Sequence, residues 1–329
     1  MKLRHIAYAI PDRRVESAVI SQWTGLDLQF LTEKIGIESR RFLGREEQPI
    51  DLAHAACRNL LSECHELDLA RIGLLVVVTQ NPDYKIPHSS ALLHHALGLG
   101  KTVACFDLNL GCSGFVYGLS VVKSLMLAES LTDALLVTCD PYSRIIGRMD
   151  RDTVALFGDA ATASWLSAEA GGDLGKPDFG TNGAGAENLM VKLGGSAYPV
   201  MSIDGEAKEA GSAEGYRLHM NGRGILEFMM QEVPRTVSRC LKKNGLELSD
   251  IDSFVFHQAS QYLLQQLRKK LGLAPEKVPC NIRDVGNTVS SSIPLLLAQL
   301  QTKEGLAGKR ILVCGFGVGL SWATNVIQY

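Results

Sequence analysis

Cys112 stands in "FDLNLGCSGFVYGL", between Gly111 and Gly114, where an apolar strand-like run turns into a helix-like one. Gly111 permits a turn that a β-carbon would obstruct, and Gly114 lets the helix or a ligand come close. A thiol in the first turn of a helix feels the positive end of the dipole. That stabilises the thiolate, lowers the thiol pKa and suits a nucleophile. A buried helix-start cysteine is the plainer reading of the same stretch, as for Cys105 inside its strand. His257 ends the apolar run "FVFHQA" and precedes Gln258. An imidazole at the carboxyl end of a buried strand points toward a cleft; the alternative is a core histidine satisfied by a backbone carbonyl. Asn287 follows Gly286 in "DVGNTVSSSIP", where it is either a cleft residue or a helix N-cap.

The elements that must position these residues occur twice. "IGLLVVVTQNPD" and "IDSFVFHQAS" read as buried strands running into loops. Each is followed by a helix with an L-G-L stop, then a strand, a glycine turn and a helix, then a last strand ("DALLVTCDPYS", "KRILVCGFGVG"). In the second copy the middle strand falls on "PEKVPCN". Leu97 and Leu271, Cys112 and Asn287, and Leu135 and Ile311 lie 174, 175 and 176 residues apart. A near-constant offset across four elements indicates an internal duplication. Apolar strands alternating with helices indicate α/β halves with sheets buried on both faces. We divide the chain into residues 1–170, with Cys112, and 171–329, with His257 and Asn287. The glycine-rich stretch 167–189 lies between, and "DLGKPDFGT" within it fits an edge strand. Pseudo-twofold packing of the halves would bring the Cys112 and Asn287 turns to one cleft, with His257 at an adjacent strand end.

The 329 residues suffice for one large or two ordinary domains; 46% are apolar and 21% charged. A net charge of −2 argues against nucleic-acid binding. No apolar run reaches the roughly 18 residues that span a bilayer, and the N-terminus shows no signal-peptide pattern. Eight cysteines without a C-x-x-C pair fit a reducing cytoplasm and neither a disulfide framework nor a zinc site. The histidine pair 94–95 has no partner at metal spacing and reads as a solvated helix face.

"FDLNLGCSGFVYGL", "LFGDAATA" (156–163), "HQAS" (257–260), "GNTVSSSIPL" (286–295), "GFGVGLSW" (315–322) and "EKIGIESRRF" (33–42) resemble the β-ketoacyl-acyl carrier protein synthase III family of the thiolase superfamily. The resemblance runs from about residue 30 to the C-terminus, with the motifs in the family's order. It implies a five-layered thiolase-like fold of two duplicated halves and a homodimer. It also implies a reaction. Cys112 takes an acyl group from acyl-coenzyme A, then a malonyl-acyl carrier protein or malonyl-coenzyme A enters. His257 and Asn287 hold its thioester carbonyl while decarboxylation leaves an enolate, which attacks acyl-Cys112. Backbone N–H groups of Cys112 and Val318 correspond to the family's oxyanion hole. Coenzyme A thioesters are then substrates, and no permanently bound cofactor or metal is expected.

Several positions depart from the family pattern. The C-terminal loop reads G-V-G at Val318, where valine resists a positive φ. Phe30 stands where the family commonly stacks a tryptophan on the adenine, with Arg151 on the adenine's other side. Ile86 replaces a bulky aromatic that crosses the dimer interface and shapes the acyl pocket. Tyr262 replaces an arginine of carrier docking, while Arg268, Lys269 and Lys270 keep a basic cluster that suits either docking or a solvated face. "MNGRGILEFMM" (220–230) resembles a helix start beside the pantetheine tunnel, its methionines read as core packing. These departures keep three other readings open: acyl transfer to another nucleophile in a specialised pathway, a non-catalytic thiolase-fold subunit, and a cysteine hydrolase.

Overall fold

The protein is described from a computed structural model, which covers residues 1–169, 171–200 and 213–329. The chain first lays down β1 (Lys2–Ala9), β2 (Arg14–Glu16), α1 (Ser17–Thr24), β3 (Ser39–Arg41), α2 (Pro49–Glu63), β4 (Ile72–Val78), α3 (Ser89–Ala96), β5 (Ala104–Leu108), α4 (Gly114–Ala128), β6 (Asp133–Cys139) and β7 (Ala161–Ser167). It continues through β8 (Asp173–Leu174), β9 (Asp178–Thr181), β10 (Leu189–Val191), β11 (Leu218–Met220), α5 (Gly222–Asn244), β12 (Ser253–Phe256), α6 (Gln261–Leu271), α7 (Ile282–Val285), α8 (Ser292–Glu304), β13 (Arg310–Gly317) and β14 (Ser321–Gln328).

Two five-stranded sheets carry the fold. The first has the order β1-β7-β6-β4-β5, with β6, β4 and β5 parallel and β7 antiparallel to both its neighbours. In the second, β12 and β13 are parallel, β14 is antiparallel to β13, and both β8 and β9 pair antiparallel with β14. Read outward, β8/β9-β14-β13-β12 repeats β1-β7-β6-β4 in order and direction. "DLGKPDFGT" therefore does supply edge strands. The expected counterpart of β5 around Val278–Asn281 does not form: a 3₁₀ turn at Pro275–Lys277 is followed by irregular chain leading into α7. Pro275 and Pro279 withhold ladder donors there.

Runs such as "IGLLVVV" and "DALLVTC" have no polar face, because helices cover their sheet on both sides. α2 and α3 pack Leu52, Ala56, Leu60 and Leu93 on Leu75, Val77 and Leu135. α4 and α8 lie between the sheets, where Leu119, Val122, Ile293 and Leu297 meet Leu74, Val76 and Leu136 on one side and Val255 and Val313 on the other. Enclosure there explains why α4 and α8 are apolar around most of their circumference. α5 and α6 close the far side with Val233, Val237, Leu264 and Leu267 on Phe254, Phe256 and Leu312. The result is five layers, the thiolase-like fold.

Glycine sets how closely α4 approaches: a β-carbon on Gly114 would stand 2.4 Å from Val78 Cγ1. That position serves helix-on-sheet packing and not ligand approach.

Candidate active site

The two α/β halves each deliver a turn to one cavity. Cys112, His257 and Asn287 line it together with Leu156, Phe157, Leu189, Met220, Ile225, Leu263 and Phe316, and its volume is ≈ 100 Å³. All three polar residues are buried. Met220, expected in the core, is one of the lining residues.

Cys112 lies in the turn just before α4, whose N-cap is Ser113. The turn is held by β13. A β-carbon on Gly315 would stand 2.5 Å from the Cys112 carbonyl oxygen, and one on Gly317 would stand 2.9 Å from Sγ. Gly111 is bounded otherwise: its β-carbon would meet Gln80 Oε1 at 2.5 Å and Val318 Cγ1 at 2.9 Å. Tyr142 donates its hydroxyl to that Gln80 oxygen at 3.0 Å.

The expected lowering of the thiol pKa does not occur. Burial pushes Cys112 up to about 12, and the nearby Asp140 carboxylate adds to the rise. The backbone N–H groups of Cys112 and Val318 pull the other way, both directed at Sγ. Desolvation outweighs the favourable dipole because the thiol is sealed under Gly317, not open at a helix start. Asp140 is itself held up at about 6 by burial.

Val318 delivers its N–H without a positive φ; among the described residues only Ser130 and Val289 combine a side chain with one. The flanking Gly317 and Gly319 take φ values of 159° and 134°. Ser321 donates to the Val318 carbonyl at 2.8 Å, and Ser113 shares a 2.8 Å hydrogen bond with Ser321. This chain fixes the Val318 peptide relative to the Cys112 turn.

His257 leaves β12 with its N–H on the Cys314 carbonyl at 2.8 Å. Its ring stands edge-on to Phe316, and Nδ1 lies 2.7 Å from Ser292 Oγ. Burial lowers its pKa to about 3, opposed by the Val289 carbonyl, so the ring is neutral at pH 7.

Asn287 does not cap α8, whose N-cap is Ser291. Its backbone is clamped by the 156–158 segment: its N–H donates to the Leu156 carbonyl and its carbonyl accepts from Gly158 N–H, both at 2.9 Å. Gly158 allows this because a β-carbon would stand 2.1 Å from the Val285 carbonyl oxygen. Val289 N–H donates to Asn287 Oδ1 at 2.9 Å. With Oδ1 so engaged, the amide NH₂ is the group left for the cavity.

The other expected residues lie away from this cavity. Phe30 and Arg151 are exposed, and so is Ile86, at 86%. Arg268, Lys269 and Lys270 occupy the last turn of α6, about 12 Å along the helix from the cavity-lining Ser260. There they complement the helix dipole, and Arg268 donates to the Leu273 carbonyl at 3.1 Å. Among the described residues no group of His, Cys, Asp and Glu could hold a metal ion, and no helix is long and apolar enough to cross a membrane.

Fold and site define a thiolase-superfamily protein with a cysteine, a histidine and an asparagine at one buried cavity. The comparisons narrow this. Profiles described as 3-oxoacyl-[acyl-carrier-protein (ACP)] synthase III and its C-terminal region match residues 106–183 and 241–329. The β-ketoacyl-[acyl-carrier-protein] synthase III 2 of Lactiplantibacillus plantarum is 31% identical, over 98% of this chain and 97% of its own. A crystal structure of a 3-oxoacyl-(acyl-carrier-protein) synthase III superposes with a TM-score of 0.92 at 36% identity, covering 100% and 99% of the two chains. The priming β-ketosynthase of the R1128 polyketide pathway superposes at 0.89 with 27% identity, covering 99% and 95%. The chain belongs to the 3-oxoacyl-[acyl-carrier-protein] synthase III family, an acyltransferase family.

Proposed function

We propose that this protein condenses an acyl group from acyl-coenzyme A with a malonyl thioester, carried by an acyl carrier protein or coenzyme A. The observation that carries the reading is the shared cavity. It holds a thiol facing two backbone N–H groups, and an amide NH₂ and a ring nitrogen whose other polar atoms are already engaged. Cys112 attacks the thioester carbonyl, and coenzyme A leaves with the proton. The N–H groups of Cys112 and Val318 take the oxyanion. A malonyl thioester then enters, and its carbonyl meets Asn287 and His257. Loss of CO₂ places charge on that oxygen, where fixed donors in a dry site supply several kcal/mol. The carbanion attacks acyl-Cys112, the thiolate departs, and a β-ketoacyl thioester results.

In this reading Phe30 and Arg151 flank the coenzyme A adenine. Arg268, Lys269 and Lys270 meet the acidic carrier protein. The protein works as a cytoplasmic homodimer in which Ile86 crosses to the partner's acyl pocket. The outer edge of β5, beyond its pairing with β4, and the exposed Tyr84 and Ile86 support such an interface.

Intact mass after mixing with a panel of acyl-coenzyme A thioesters tests the first half-reaction. One acyl mass is gained, and a Cys112→Ser variant gains none. Release of CO₂ from a malonyl thioester by the acylated enzyme tests the second. Acylation without CO₂ release would favour transfer to a different nucleophile, the reading that Phe30, Ile86, Tyr262 and Val318 support.

A further inference from the structure

We propose that Ser292 is a positioning residue for the condensation step: its hydroxyl donates to His257 Nδ1 and so keeps the ring proton on Nε2, the nitrogen left for the cavity. The inference rests on the condensing reading above.

Ser292 is the first residue of α8 and is 1% exposed; His257 is 2% exposed. Their 2.7 Å contact is short enough for a full hydrogen bond, and water has no access to replace it. Gln258 N–H also faces Ser292 Oγ, at 3.5 Å. Among the described residues Nδ1 is the only acceptor in reach of the Ser292 hydroxyl proton, and donating to it spares that buried O–H from going unpaired. A neutral imidazole carries one proton, so accepting at Nδ1 leaves Nε2–H. Only that tautomer offers a donor to an enolate oxygen.

The turn does this for both polar side chains at once. Val289 N–H fixes the Asn287 amide, and three residues later Ser292 fixes the imidazole. Between them Val289 sits at φ 54°, a conformation a β-branched residue resists. Strain of that kind is retained where the surroundings over-determine it, commonly at functional sites. The Val289 carbonyl also faces the ring and attracts a ring proton. Without Ser292, Nδ1 loses its hydroxyl donor, and with it the preference for the Nε2–H tautomer.

The experiment compares the wild type with Ser292→Ala and Ser292→Thr, using ¹⁵N-histidine NMR, intact mass and CO₂ release. The wild type should show His257 as the Nε2–H tautomer. Ser292→Ala should shift it toward Nδ1–H, leave acyl loading of Cys112 in place, and slow CO₂ release about a hundredfold, the scale of losing one oriented donor. Ser292→Thr, which keeps the hydroxyl, should restore both tautomer and rate. An Nδ1–H wild-type ring, or an alanine variant with unchanged CO₂ release, would overturn the inference. If the alanine variant fails to fold, the wild-type tautomer still decides. If Cys112 takes no acyl group from any thioester, the condensing reading fails, while the tautomer measurement stands apart from it.

Discussion

Held at about 12, the Cys112 thiol is almost wholly protonated at neutral pH. Its alkylation by iodoacetamide, followed on the Cys112 peptide, should therefore be slow at pH 7. It should keep rising through pH 10, where an ordinary thiol near 8.5 has levelled off. A plateau below pH 8 would show that the helix start wins over burial. His257 makes a stability prediction of definite sign. The folded ring binds its proton at about 3 and an unfolded histidine at about 6.5, so the unfolded chain takes the proton first. Its contribution is present above pH 6.5 and is lost as pH falls toward 3. Asp140 and Asp159, held at about 6, act in the opposite sense: their contribution is complete below about 4 and is lost as pH rises through 6. His257→Asn should flatten the fall in melting temperature between pH 6.5 and 4. An unchanged slope would assign that fall to other groups.

Among the elements, β13 and the Cys112 turn approach at van der Waals limits, and glycine is what permits it. Gly315→Ala puts a methyl against backbone atoms of Cys112 and Ser113, so about 1–3 kcal/mol of overpacking should appear as a lower denaturation midpoint. Gly317→Ala presses on Sγ and should slow acylation more than it lowers stability. The α/β alternation, the repeat and the three cavity residues were legible because each leaves a local mark: an apolar run, a constant offset, a polar residue after glycine. The missing counterpart of β5 was not. "KVPCN" has strand-like composition, and its two nearby prolines count only once the ladder they would have to join is known. Nor was Ser292, one of three consecutive serines. Which of them faces His257 depends on the left-handed turn at Val289, and valine is the residue type least expected there. The rise in the Cys112 pKa escaped for the same reason: Gly317 closes over it from 205 residues away along the chain.

At the scale of the molecule, carrier docking by the end of α6 is open to a charge test. Reversing Arg268, Lys269 and Lys270 to glutamate should raise KM for a malonyl-carrier protein and leave loading from acyl-coenzyme A unchanged. Equal KM values would return the cluster to capping its helix. The site itself belongs to neither sheet alone. The thiol follows β5 of the first, the imidazole follows β12 of the second, and Asn287 is bonded across to the 156–158 segment that leads into β7. If the two α/β units descend from one ancestral unit, the reaction centre lies where two copies of that unit meet, and Cys112 and Asn287, 175 residues apart, are equivalent positions that carry different chemistry.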